Sequence, residues 1–287
     1  MRIYSGESFS EVYEQSLRDL HTNPEYTSNP RGLNIKENLG VALEILDPLS
    51  CLYDNSRRGS QSKYIAAELI WYFLGRNDVE FIKKFASFWE SIQNEDGTVN
   101  SSYGYLLFKN LNRFGFSQYQ WAINCLKNDL DSRQAIMHFN LPQHQYVGNK
   151  DFVCTMYGIW QIRDYKLNLT IHMRSNDAIL GTPTDIAFFT VLQQQALNHL
   201  RYYHPGLKLG SYTHIVDSYH VYERNFNLVS EMLENEFKPV KIPTLSKNLI
   251  SHDGSPSTDL KILSDHMESG FSTEDKLMSW ISKSINK

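Results

Sequence analysis

The sequence predicts an α+β fold: one domain with a mixed, largely antiparallel β-sheet packed by helices. Three observations lead there. Period-two and period-3.6 apolar patterns both occur, but they do not alternate regularly as βαβ units would. The strongest β signal is a hairpin pattern, FVCTMYGIWQIR and KLNLTIHMR about a short polar turn at Asp164-Tyr165. No internal repeat or composition break divides the 287 residues. A single domain over 1–287 is therefore expected, with a weakly patterned C-terminal extension over about 240–287.

Each element has its own signal. Ser8-Phe9-Ser10-Glu11 has capping-box form, and Phe9, Val12, Tyr13, Leu17 and Leu20 keep helical spacing, so a helix spans about 8–21. HTNPEYTSNPRGLN is a loop by its Asn, Pro and Gly content. Val41, Leu43 and Ile45 alternate as a strand. KYIAAELIWYFL, residues 63–74, reads as a buried helix stopped by a left-handed Gly75. Asp78 is placed to cap a helix over about 79–92. EDGTVNSSYG is a turn-rich loop, 117–128 a helix and QAIMHFN a strand leading into the hairpin. A long amphipathic helix is expected over 184–200, a strand near 207–217 and a helix near 221–235. Beyond that, only 272–285 looks helical.

Hydrophobic residues make up 41% of the chain and aromatic residues 13%, with 17 Tyr and 15 Phe. That suffices for a large core and argues against disorder. A net charge of −4 disfavours a nucleic-acid partner, although a single phosphate needs only two or three arginines. The N-terminal MRIYSGESFSEVYEQ lacks signal-peptide form, and no window reaches eighteen apolar residues, so no membrane association is expected. Three widely spaced cysteines, Cys51, Cys125 and Cys154, give no CxxC pair and no disulfide framework. A reduced, cytoplasmic protein is expected. The ten histidines show no HxH or HExxH spacing and no Cys-His cluster, so no metal is assigned.

Three residues are candidates for chemistry. Cys154, between Val153 and Thr155, reads as the middle of a strong strand. It is either a packing cysteine or a nucleophile. The second role needs a cation to favour thiolate, and Arg133, Arg163 and Arg174 fall near strand ends of the same sheet. A Cys-His hydrolase using His138, His172 or His220 is the generic rival, without support from local spacing. Glu68, on the apolar helix, is either a solvent-reaching glutamate or a retained proton-transfer group with a raised pKa. Asp185, after GTPT, has an ordinary role available at a helix N-terminus.

Seven segments, in order, resemble the thymidylate synthase superfamily. They are PRG at 30–32, AELIWYFLG at 67–75, DGTVNSSYG at 96–104, DSRQAIM at 131–137, DFVCT at 151–155, MRSNDAILGTPTD at 173–185 and DSYHVY at 217–222. The resemblance implies a thymidylate synthase-like domain whose sheet face forms the interface of a homodimer with shared active sites. It also implies a pyrimidine nucleoside monophosphate as substrate and 5,10-methylenetetrahydrofolate as co-substrate. Cys154 then matches the nucleophile that adds to C6 of the pyrimidine and makes C5 electron-rich. Arg31, Arg174 and Ser175 match phosphate-binding positions, and Arg133 one that reaches across from the partner subunit. Gln134 stands where many members have a second arginine. His220 and Tyr222 match the pair that contacts the sugar, and Tyr103 the active-site tyrosine. Glu68 matches the glutamate that organises water and relays protons. Asp177 and Gly181 match residues lining the pterin, and Trp89 a tryptophan beside the folate.

Asp185 bears on the base. Ordinary thymidylate synthases carry asparagine at the matching position, able to accept from uracil N3–H and donate to O4. An ionised carboxylate cannot donate. It suits cytosine, whose N4 amine donates, as does N3 when protonated. Unsatisfied buried polar groups cost about 1–3 kcal/mol each, so cytosine is the expected base. Ile92, where methyl-forming enzymes usually carry a second tryptophan, agrees with this, and Thr184, replacing a family phenylalanine that packs on folate, is consistent with looser cofactor packing. DGTVNSSYG, DFVCT, MRSND and SYHVYERNF are most similar to the deoxycytidylate hydroxymethylase branch, in which water adds to an exocyclic methylene at C5. The expected activity is thus 5-hydroxymethylation of dCMP or CMP, with Glu68 positioning the water. The alternatives are a methyl-forming synthase acting on dUMP and an idle nucleotide-binding or RNA-regulatory protein. The joint presence of Cys154, Glu68, Arg174 and Asp185 argues against the last.

Overall fold

The computed structural model describes residues 1–267, 271 and 273–287. Eight strands form one mixed sheet: β1 (Arg2–Gly6), β2 (Tyr26–Ser28), β3 (Ile35–Ile45), β5 (Ile136–His138), β6 (Thr155–Arg163), β7 (Lys166–Met173), β8 (Asn176–Asp177) and β9 (Lys208–Tyr222). Their order is β1-β3-β9-β7-β6-β5, with β2 added to β3 and β8 to β9. The pairs β1·β3, β7·β9 and β8·β9 are parallel and the other four antiparallel. A separate two-stranded ribbon pairs β4 (Leu52–Asp54) with β10 (Lys238–Val240). The α+β class with a mixed sheet is as expected.

Alternation along the hairpin sets the two faces of the sheet. Trp160 and Ile162 on β6, and Leu167, Leu169, Ile171 and Met173 on β7, are buried against the helices. Tyr157, Ile159, Thr170 and His172 lie on the other, partly exposed face. Asp164 and Tyr165, both at positive φ, make the two-residue turn that matches strand twist.

Ten α-helices occur among the described residues: α1 (Phe9–Thr22), α2 (Ser62–Phe73), α3 (Val79–Ile82), α4 (Phe88–Ile92), α5 (Tyr103–Phe108), α6 (Gln118–Asn128), α7 (Thr182–Tyr203), α8 (Phe226–Leu233), α9 (Thr258–Asp265) and α10 (Lys276–Ile285). Ser8 caps α1 by accepting from the Glu11 N–H, while Glu11 reaches back to the Glu7 N–H instead of that of Ser8. Gly75, at φ +67°, ends α2 as its spacing predicts. α7 is buried nearly all round rather than amphipathic. Its internal polar groups are used structurally: Gln193 donates to Leu167 and Ser211 carbonyls, and Gln194 and Gln195 accept from the N–H groups of Leu245 and Leu249.

Local tertiary contacts move several boundaries. The helix expected over 79–92 breaks into α3 and α4, and Asp78 pairs with Arg76 instead of capping. The loop over 21–34 contains β2, which docks on β3. α5 begins inside the stretch expected as a turn-rich loop, and β9 runs on through Tyr222. Cys154 precedes β6 instead of sitting in mid-strand. After residue 240, Ile242, Leu249, Leu263, Leu277, Met278 and Ile281 are buried in the core. Asp275 caps α10 through the Met278 N–H and also accepts from Ser246 and Lys247. This starts the last helix at Lys276, later than the expected 272, which lies outside the described residues.

Candidate active site

Three segments converge around Cys154: its own approach to β6, the residues just after β7, and the first turn of α7. Arg174 follows β7, and its N–H donates to the Cys154 carbonyl at 3.0 Å, continuing the ladder past the strand ends. Its guanidinium lies 3.5 Å from the Cys154 sulfur and donates to the carbonyl oxygens of Val153 and Phe152 at 3.1 and 2.5 Å. It also sits over the Phe152 ring. Burial pushes the Cys154 thiol up, and Asp185 and Asp151 add to this, while Arg174 and Arg31 pull it down. The net direction is up, and Arg174 is the cation that most opposes it. None of His138, His172 or His220 hydrogen-bonds to the sulfur among the described residues, so a Cys-His pair is not formed.

Glu68 is buried on α2, not solvent-reaching. Tyr64 and Tyr72, one turn away on either side, donate their hydroxyls to Glu68 Oε1 at 2.9 and 3.2 Å. The Trp89 indole N–H donates in turn to the Tyr64 hydroxyl at 3.0 Å. Burial, then the nearby Asp185, raises the Glu68 carboxyl to about 8, against the two tyrosine donors. Such a group can take and return a proton near neutral pH.

Asp185, in the first turn of α7, is half-buried. The Asn176 side-chain amide donates to its Oδ2 at 2.8 Å. Burial raises its carboxyl to about 7, opposed by donors from Asn176 and Tyr103. Gly181 permits this contact, because a Cβ there would lie 2.7 Å from Asn176 Nδ2. Tyr103 is buried on α5, stacked on Tyr72 and electrostatically coupled to both Asp185 and Cys154. Its place depends on Gly104, where a Cβ would fall inside the Tyr72 carbonyl oxygen.

The remaining expected residues distribute as follows. Arg31 is exposed in a turn at φ +55°, close enough to act on the Cys154 thiol. That turn feeds β3, whose Ile35 and Glu37 pair with Tyr222 and His220 on β9. The rings of His220 and Tyr222 meet at right angles, 5.1 Å apart. Ser175 is half-buried next to Arg174. Asp177 folds its carboxylate onto the Ile179 and Leu180 N–H groups. Arg133 stands apart, in an open groove with Trp121, Cys125, Asp131 and Gln134. Among the described residues no contact links it to Cys154, Arg174 or Asp185. Arg163 likewise lies at the far end of β6, near Asp131.

Sequence reasoning missed Tyr64, Tyr72 and Asn176. The tyrosines had a legible signal, being four residues before and after Glu68. Asn176 had none, since only the fold brings it to Asp185. Among the described residues no group of three or more His, Cys, Asp or Glu is arranged to hold a metal, and no helix is long and apolar enough to cross a membrane.

Comparison with known proteins agrees with this fold. Residues 53–268 match the family model described as thymidylate synthase. The deoxycytidylate 5-hydroxymethyltransferase of Enterobacteria phage T6 is 33% identical over 177 residues, covering 58% of this chain and 70% of the phage protein. The thymidylate synthase of Clostridium beijerinckii is 30% identical over 186 residues, covering 64% and 66%. In fold, the thermostable thymidylate synthase A of Bacillus subtilis superposes with a TM-score of 0.64 at 23% identity, covering 80% of this chain and 85% of that one.

Proposed function

Because this chain belongs to the thymidylate synthase family of one-carbon transferases, we propose that it hydroxymethylates C5 of a cytidine monophosphate, with dCMP favoured over CMP. The family acts on a pyrimidine monophosphate with methylenetetrahydrofolate as co-substrate. The carrying observation is the carboxylate of Asp185, held through Oδ2 by Asn176 with the Tyr103 hydroxyl beside it.

In its ionised form Asp185 presents acceptors only. It matches a base edge with two donors, the N4 amine and a protonated N3 of cytosine, and opposes the O4 acceptor of uracil. Cys154 adds its sulfur to C6, forming an S–C bond and moving electron density to C5. Arg174 holds the sulfur and its approach loop through this step. Arg31, Arg174, Ser175 and the partner's copy of Arg133 form the proposed phosphate site, with His220 and Tyr222 on the sugar. The partly exposed sheet face carrying Tyr157, Ile159 and His172 is the proposed homodimer interface.

Methylenetetrahydrofolate would supply the one-carbon unit at the formaldehyde level when bound, with C5 giving up its proton and tetrahydrofolate departing. Asp177 and Gly181 line the proposed pterin position. Trp89 is the third proposed folate contact. Glu68, with its raised pKa and tyrosine donors, is suited to hold the water that adds at the C5 methylene and to take its proton. The S–C bond then breaks and Cys154 leaves.

A methyl-forming reaction on dUMP is the second reading. The Clostridium thymidylate synthase lies nearly as close as the phage enzyme, and a protonated Asp185 mimics asparagine. Incubation with dCMP, CMP, dUMP and UMP plus methylenetetrahydrofolate separates the two. A product 30 mass units heavier than a cytidylate, without dihydrofolate absorbance, supports the first reading. A methylated uridylate with dihydrofolate ends it.

A further inference from the structure

The buried side of β9 carries Tyr212 and His214, two residues apart and therefore on one face. Both are fully buried. The Tyr212 hydroxyl and His214 Nδ1 are 2.8 Å apart, and His214 Nε2 lies 3.1 Å from Asn176 Oδ1. Asn176 Oδ1 also accepts from Thr182 Oγ1 at 2.5 Å, and Asn176 Nδ2 donates to Asp185 Oδ2. Four side chains thus run in line from a strand face to the Asp185 carboxylate.

We propose that His214 is a specificity-determining positioning residue, which fixes the Asn176 amide so that it donates to Asp185 and holds that carboxylate in its acceptor form. The inference rests on the base-reading role given to Asp185 above.

Donor and acceptor rules allow one polarity for the chain when Asp185 is ionised. Asn176 must turn its amide N–H to the carboxylate, so its carbonyl faces His214 and Thr182. That carbonyl already accepts from Thr182 and lies 3.1 Å from His214 Nε2, where a second acceptor would be repelled, which places the His214 proton on Nε2. Nδ1 is then the acceptor, and the Tyr212 hydroxyl donates to it. Burial keeps His214 neutral, with the nearby His172 acting in the same direction. The reversed chain, with Asn176 flipped, turns its carbonyl toward Asp185 and requires a protonated carboxyl there. A protonated Asp185 tolerates uracil. The direction of this relay therefore selects between the two bases.

A buried histidine that merely packs is the plain alternative. It has no need of a terminus at the site, and an apolar side chain would fill the same place on the strand without desolvating an imidazole.

Two measurements test the proposal. In protein labelled with 15N-histidine, His214 should be neutral at pH 7 with the proton on Nε2. A proton on Nδ1, or an imidazolium, overturns the relay whichever base the enzyme uses. In the second, His214→Phe should lower the ratio of kcat/KM for dCMP over dUMP by about three- to tenfold, the worth of one lost buried hydrogen bond. His214→Gln, which can return an amide donor near the Nε2 position, should restore most of the ratio. An unchanged ratio in a cooperatively folded His214→Phe protein refutes the proposal. If that variant does not fold, Tyr212→Phe removes only a hydroxyl and should lower the ratio and release the His214 tautomer; no change in either overturns it. A wild-type enzyme that prefers dUMP removes the cytosine reading of Asp185 but leaves the tautomer result to judge the relay itself.

Discussion

The guanidinium of Arg174 lies 3.5 Å from the sulfur of Cys154 while donating to the two carbonyl oxygens that precede it. One side chain thus sets both the charge beside the thiol and the course of the loop that carries it. Cys154→Ser should lower turnover by at least about 10³-fold, because a hydroxyl is a far poorer nucleophile at neutral pH. Arg174→Lys should also fail, by roughly 10–100-fold, since an ammonium cannot span three acceptors as a planar guanidinium does. The pH dependence of iodoacetamide alkylation at Cys154 reads this directly. Loss of Arg174 removes a pull on the thiol pKa, so its alkylation midpoint should move up. An unmoved midpoint would contradict the assigned role.

Glu68 and Asp185 hold carboxyls raised to about 8 and about 7 inside the fold. Both are above the unfolded values, so the folded state binds protons more tightly than the unfolded chain. Stability from these groups is full below about pH 4 and declines as pH rises toward 7 and 8. Glu68→Gln keeps an acceptor for Tyr64 and Tyr72 but cannot ionise. At pH 8 it should be more stable than the parent by on the order of 2–4 kcal/mol, with turnover reduced by about 10²-fold or more. Denaturant titrations at pH 5 and pH 8 check this: the difference between parent and variant should be small at pH 5 and large at pH 8. A constant difference would place the effect in packing.

Gly104→Ala tests how Tyr103 reaches the site. The added methyl would lie 1.7 Å from the Tyr72 carbonyl oxygen, which belongs to helix backbone and cannot yield cheaply. α2 and α5 must separate, and both the Tyr72–Tyr103 stack and the aromatic cluster with Phe188 and Phe189 loosen. The expected loss is about 3 kcal/mol or more, visible as a fall in Tm of the purified protein. A Tm within a degree of the parent would show that the two helices are not in this contact.

The sequence disclosed these parts unevenly, for physical reasons. The hairpin of β6 and β7 was legible because alternation and a two-residue turn are local properties. α2 and its glycine stop were legible for the same reason. α7 differs from the amphipathic helix expected, since the structure buries its glutamines and spends their amides on strand carbonyls and on the segment after residue 240. The helix expected over 79–92 starts at Val79 as its spacing predicts, but it stops at Ile82 and resumes only at Phe88. At the site, Cys154, Glu68, Arg174 and Asp185 were visible as residue types in family order. Asn176, Tyr212 and His214 were not, because their meaning lies in a contact across parallel strands that no local pattern encodes.

Asp185 gives the sharpest prediction, because ionisation changes what it can pair with. With the carboxyl raised to about 7, a fraction remains protonated at neutral pH and can donate to uracil O4. As pH climbs through that value the fraction vanishes, and the ionised group opposes O4 while accepting from cytosine N4. The ratio of kcat/KM for dCMP over dUMP should therefore rise between pH 6 and pH 8. Asp185→Asn removes the titration, restores a donor for O4 and should shift preference toward dUMP by about 10²–10⁴-fold, with a ratio that is flat over the same range. Asn176 would still meet an acceptor, the new amide oxygen, so the relay behind it need not collapse. A variant that keeps its cytosine preference, or a parent ratio insensitive to pH, would mean that another group reads the base.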